Sequence, residues 1–221
     1  ERAKLATSEQ DVIDLIEQYN LPWEAIPTQW LAAARVWKAL LPKLPLTALL
    51  RNLARMTANG ALTEMSSESA EVVRRITDEK ALRKARIHPI AVLAALKTYS
   101  AGKGARGDLK WQPIQAIVDG LDKAFYLSFG NVKSTGKRIV LALDVSGSMT
   151  SGTVAGVPGL TPRVASAAMA LITAATEPKH QVVAFSNQMV PVNISPRQRL
   201  DDVLKNTDNI PFGGTDCALP M

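Results

Sequence analysis

The stretch from Lys137 to Met149 limits what this chain can fold into more than any other. Ile139 to Leu143 is a short apolar run with two β-branched residues, preceded by Gly136 and followed by a Ser/Gly cluster. That pattern predicts a buried strand, and a run without polar alternation suits a central parallel strand covered on both faces. Asp144, Ser146 and Ser148 then follow at every second position, at the carboxyl end of the strand. In open α/β sheets that edge is where ligands bind. Carboxylate and hydroxyl oxygens suit Mg²⁺ or Mn²⁺ rather than zinc, which prefers nitrogen and sulfur. A turn rich in Asp, Ser and Gly also forms for reasons of local capping, so a cation or anion site and a plain turn both stand at this point.

Upstream, the apolar spacing is helical. Ser8 is positioned to cap a helix carrying Val12, Ile13, Leu15 and Ile16, with Asp11 three residues on. Pro22 and Pro27 punctuate the connection after it. A second helix is predicted from about Gln29, with Trp30, Ala34, Trp37 and Leu41 on one stripe and Pro42 as its stop. Pro45 opens a third, which Asn59-Gly60 ends. Further helices are predicted over Ser67–Ile76, Asp78–Arg86, Pro89–Tyr99 and about Pro113–Phe129. Helical pairs without strands point to a stacked, HEAT-like repeat region over residues 1–133.

From residue 134 the pattern changes to α/β. Strand 138–144 is followed by a Gly/Pro-rich loop, 150–162, a helix over Arg163–Thr176, and strands Gln181–Phe185 and Val190–Ile194. Ser195 and Pro196 then read as the cap and first residue of another helix. A doubly wound sheet needs more strands than these, and a helix is due to begin at Asp216. The expectation is therefore a piece of a longer protein, with its α/β part marginal alone.

Composition narrows the function classes. At 221 residues, 47% apolar and 21% charged, the chain is ordinary for a globular protein. No apolar run reaches the ~18 residues that a bilayer span requires, so no membrane partner is expected. The single cysteine, Cys217, permits no internal disulfide and fits a reducing, cytoplasmic setting. The net charge of +6 is concentrated: residues 83–110 hold seven cations against Asp108 alone. That favours a polyanionic partner, although a solvated face has the same composition. Within this window three glycines accompany Lys103, Arg106 and Lys110, and Tyr99 and Trp111 flank them. The aromatics are suited to stacking on bases, or else they pack inward beneath a solvated loop.

Two resemblances sharpen this. Asp144-x-Ser146-x-Ser148, together with Gly213-Gly214-Thr215-Asp216, resembles the metal-ion-dependent adhesion site of von Willebrand factor A domains. It implies a truncated α/β domain of that type and a divalent cation held by Ser146, Ser148 and Thr215, with Asp144 acting largely through water. More widely, Pro45–Leu53, Ala85–Pro89, Lys97–Trp111, Asp144–Met149, Val183–Ser186 and Gly213–Met221 are similar to the Ro autoantigen (TROVE) family, in the family's order.

That likeness implies a helical ring closed by the A domain, holding small noncoding, Y-like RNA outside and misfolded RNA 3′ ends in its channel, in RNA quality control. It leaves a nuclease partner open. It also implies that a later acidic loop and earlier helical repeats lie outside these residues, so they do not close a ring alone.

The residues expected to meet RNA are Arg51 and Arg55, which share a helix face at i, i+4, with His88, Lys97, Lys103, Arg106 and Lys110. Arg74, Arg75, Arg83 and Lys84 read as solvated surface. No Ser/His/Asp or paired-carboxylate arrangement can be assembled, and Ser146 stands where an aspartyl phosphotransferase needs a second acid. An enzyme is not expected. The rival reading is a metal-dependent, adhesion-type protein-interaction module without RNA.

Overall fold

The computed structural model describes residues 3, 5–104, 107–208, 210 and 214–221. Among the described residues seven α-helices come first: α1 (Glu9–Tyr19), α2 (Ala34–Leu40), α3 (Leu46–Ala58), α4 (Ser67–Ile76), α5 (Glu79–Lys84), α6 (Pro89–Ser100) and α7 (Gln115–Leu127). They precede a small α/β part, with β1 (Ile139–Asp144), α8 (Pro162–Thr176), β2 (His180–Phe185), β3 (Met189–Pro191) and α9 (Leu200–Asp208).

Local chemistry explains most boundaries. Ser8 and Asp11 form a complete capping box at α1. Ser66 caps α4, and Asp78 accepts from the Lys80 and Ala81 amides at α5. His88 Nδ1 accepts from the Ile90 amide and Pro89 takes the first turn of α6.

Two helices depart from the sequence expectation, and each has a tertiary cause. The helix expected from Gln29 is broken: Trp30–Ala32 is a single 3-10 turn, and Ala33 is extended. The break frees the Leu31 carbonyl to accept from Trp37 Nε1 at 2.8 Å, which satisfies a fully buried indole. Likewise Ser195 and Pro196 form a turn, not a helix start. Helix α9 begins five residues later, where the Tyr126 hydroxyl on α7 accepts from the Leu200 amide at 2.9 Å.

The helices pack through apolar faces. Helix α7 lies against α4 and α6, and Gly120 permits the first contact: a Cβ there would meet Ile76 Cδ1 at 3.0 Å. Trp37, Leu49, Met56, Val72, Ile117 and Leu121 are wholly buried. Each such aliphatic side chain contributes about 2 kcal/mol. An exposed pair such as Lys38–Glu68, at 2.9 Å, contributes at most about 1 kcal/mol. Apolar contact therefore holds the layers together. The same buried cluster runs on through Leu143, Leu171, Val182 and Val203, so the helical and α/β parts share a core.

The sheet order is β1-β2-β3, with β1 parallel to β2 and β3 antiparallel to β2. Thus β2, not β1, is the central strand among the described residues. Val140 on β1 is 66% exposed, so the double coverage expected of β1 is not met. Strand β3 is also shorter than expected. Where the α/β part meets α7, Arg199 pairs with Asp122 and lies 4.2 Å above the Tyr126 ring. Glu177 accepts from the Thr135 amide at 2.6 Å and from Ser134 Oγ at 2.8 Å.

Candidate functional site

The two arms of the basic stretch after α6, residues 102–104 and 109–111, pair antiparallel. Trp111 donates its amide to Gly102 at 3.0 Å, Gly104 donates to Leu109 at 2.9 Å, and Lys103 and Lys110 face each other between those bonds. Gly102 has φ +66°, and a Cβ there would meet the Trp111 carbonyl at 3.0 Å, so glycine suits the turn twice over.

The flanking aromatics point inward. Tyr99 and Trp111 stack with centroids 6.3 Å apart, and Trp111 Nε1 donates to the Tyr99 carbonyl at 2.8 Å. The Tyr99 hydroxyl meets Thr57 Oγ1 at 2.9 Å and receives the Ile114 amide at 3.3 Å. Burial pushes the Tyr99 phenol up, against the pull of those two hydrogen bonds. These rings therefore anchor the hairpin, and the stacking role suggested by the sequence does not apply to them.

The other cations divide between grooves. Arg51 from α3, with Arg86 and His88 from the α5–α6 junction, lines a groove of about 590 Å³ between α3 and α6. Thr47 and Thr98 add hydroxyls, and leucines and alanines add apolar surface. Arg55, one turn further along α3, lines a neighbouring shallow cleft with Leu109 of the hairpin. Arg51 and Arg55 thus stand one turn apart on α3, with Arg55 facing the cleft that Leu109, next to Lys110 in sequence, also lines. Lys97 does not join them. It lines a separate cleft toward the α/β part, among Asp119, Asp122 and Asp201. Arg106 lies outside the described residues.

The arginines expected as solvated surface are not alike. Arg74 pairs with Glu71 and Arg83 with Glu79, both exposed. Arg75 instead turns inward and donates to the Leu41 and Leu44 carbonyls, a buried role its sequence context did not reveal. Desolvation pulls its pKa down, against the neighbouring Glu71.

At the carboxyl end of β1, the Asp144 carboxylate accepts from the Ser146 amide at 2.8 Å. The Ser146 and Ser148 hydroxyl oxygens converge to 3.1 Å, with Ser146 buried and Ser148 exposed. Adjacent ligands of an octahedral Mg²⁺ at ~2.1 Å stand about 3.0 Å apart, so this pair fits such an ion. Thr215 is exposed, and the next residue, Asp216, donates its amide to the Ser186 carbonyl at 2.8 Å. That bond ties the second loop to the end of β2, beside β1. Among the described residues no group of three His, Cys, Asp or Glu side chains gathers anywhere.

Residues 16–98 match the TROVE domain and residues 138–221 match the Ro60 vWA domain. The chain belongs to the Ro family. Over all 221 residues it is 44% identical to a protein of Deinococcus radiodurans named RNA-binding protein RO60, covering 41% of that protein. It is 41% identical to the Caenorhabditis elegans protein of the same name, covering 34% of it. The chain thus spans well under half the length of these Ro relatives. The crystal structure of the Deinococcus radiodurans RO (RSR) protein superposes with a TM-score of 0.91 at 45% identity, over 99% of this chain and 44% of that one.

Proposed function

We propose that this Ro-family chain binds RNA through the cationic side of its helical region. Single-stranded 3′ ends of misfolded RNA lie along the groove and hairpin, small noncoding, Y-like RNA is held elsewhere on the helical surface, and the whole serves RNA quality control in the cytoplasm. The α/β part acts as a clasp rather than a catalyst. The observation that carries this reading is that Arg51 and Arg55 stand one turn apart on α3, Arg51 lining the groove with Arg86 and His88 and Arg55 lining a cleft with Leu109, the residue before Lys110. Single strands expose phosphates to Lys and Arg without demanding a sequence, which suits a binder of many RNA ends. Relatives carrying the name RNA-binding protein support it further.

The test is filter binding of a single-stranded RNA across salt. Neutralising Arg51, Arg55, Lys103 and Lys110 together is expected to weaken binding strongly and flatten its salt dependence. Salt-insensitive binding, or binding unchanged in that variant, removes the reading.

The hydroxyl pair of Ser146 and Ser148 favours a second function for the same chain. A divalent cation held by Asp144, Ser146, Ser148 and Thr215 supplies a Lewis-acidic position that takes a partner's carboxylate. Mg²⁺-dependent capture of an acidic peptide, with no response to RNA, would favour this adhesion-type module over RNA binding.

A further inference from the structure

Helix α5 ends in a Schellman turn. The Ile87 amide donates to the Leu82 carbonyl at 3.1 Å and the Arg86 amide to the Arg83 carbonyl at 3.0 Å. Arg86 occupies the position that glycine usually takes and holds a left-handed φ of +51°. A long L side chain is disfavoured there, and such strain in a folded chain points to a use for the side chain. Among the described residues no carboxylate or carbonyl partner is found for the Arg86 guanidinium, and the same holds for Arg51. Both arginines line the α3–α6 groove, whose lining includes no Asp or Glu.

His88 completes the arrangement. Its Nδ1 accepts from the Ile90 amide at 3.2 Å, which leaves Nε2 without a partner on the helix. The cap thereby orients a ring that also lines the groove. Leu50, Ala54, Ala91 and Ala95 add apolar surface to the same lining. Apolar surface, two arginines and a volume of about 590 Å³ give room and chemistry for a base with its phosphate.

We propose that this groove is a single-nucleotide subsite, in which Arg51 and Arg86 grip the phosphate, His88 Nε2 hydrogen-bonds to the nucleotide, and the base lies on the Leu/Ala surface. The inference rests on the RNA reading and sharpens it. Arg86 is the residue it adds, and its backbone makes an unusual test available. Replacement by glycine removes the charge and relieves the strained turn at once, while Arg86→Asn keeps a residue that tolerates the left-handed conformation.

The experiment is fluorescence anisotropy of a labelled ten-nucleotide uridine oligomer with the protein, across salt, beside thermal melting of each variant. Arg86→Gly and Arg86→Asn are expected to melt no lower than the parent yet bind on the order of tenfold more weakly, with a salt slope smaller by about 0.7, the share of one phosphate on a single strand. Free uridine 5′-monophosphate is expected to compete for the site, while inorganic phosphate at equal ionic strength competes far less.

Unchanged affinity in both Arg86 variants overturns the subsite. If neutralising Lys103 and Lys110 still abolishes binding, RNA recognition survives that loss. Phosphate competing as well as the nucleotide overturns it too, leaving a plain anion site. A parent protein that does not bind the oligomer removes the RNA reading itself.

Discussion

Lys103 and Lys110 occupy a non-hydrogen-bonded cross-strand pair, flanked on both sides by backbone hydrogen bonds between Gly102 and Trp111 and between Gly104 and Leu109. This is the geometry in which opposed side chains stand closest in an antiparallel ladder. Two like charges opposite one another are destabilising, and an anion binding across them relieves the repulsion.

Lys110→Glu is therefore expected to stabilise the hairpin while harming its use. An opposite-charge pair contributes about 0.2–1 kcal/mol relative to a neutral one, so melting rises slightly. RNA affinity falls, and its salt slope drops by about 0.7 for each single-strand phosphate that is no longer neutralised. Melting and anisotropy on the same samples check both. A variant that loses stability and keeps its affinity contradicts the placement of these charges on a binding edge.

Arg74 and Arg75 are neighbours with unlike fates. Arg75→Ala leaves the Leu41 and Leu44 carbonyls without their charged donor, at a cost of about 2 kcal/mol. Arg74→Ala removes only an exposed, solvent-screened pair with Glu71, so its loss is expected to be much the smaller of the two. Urea denaturation of the two variants separates them, and equal losses would show that Arg75 does not brace the turn after α2.

The Glu177 carboxyl is held below the usual glutamate range, chiefly by the Thr135 amide, with burial opposing the shift and Ser134 adding to it. The folded chain therefore binds this proton less readily than the unfolded one. Its contribution is full above the unfolded carboxyl's range and is lost as pH falls through the lower, folded value. Melting between neutral pH and about pH 3 is expected to show the parent losing more stability than Glu177→Gln, with the two curves converging at the acid end. Parallel curves throughout would count against a role for Glu177 in tying residues 134–135 to α8.

For the hydroxyl site, Mg²⁺ at ten times its Kd is expected to stabilise the protein by about 1.4 kcal/mol. Chelation reverses this, and Ser146→Ala with Ser148→Ala abolishes it. A Mg²⁺ response retained in the double variant assigns the ion to other residues.

The sequence determined what depends on near neighbours. Ser8 with Asp11, Ser66, Asp78 and His88-Pro89 each start a helix through contacts within one turn, and Asn59-Gly60 ends one, so α1, α3, α4, α5 and α6 were legible from spacing alone. The spacing of Asp144, Ser146 and Ser148 likewise announced a polar loop after a strand. Tertiary structure decided what depends on distant partners. The start of α9 is fixed by Tyr126, 74 positions away, the inward turn of Arg75 by carbonyls 31 and 34 positions away, and the edge position of β1 by which strands pair. The grouping of Arg51 on α3 with Arg86 and His88 along one groove belongs to the same class. A cap or a stop is a short-range hydrogen-bonding problem that neighbouring residues solve. A groove or a pairing edge exists only once burial has brought remote segments together, and no local pattern encodes that.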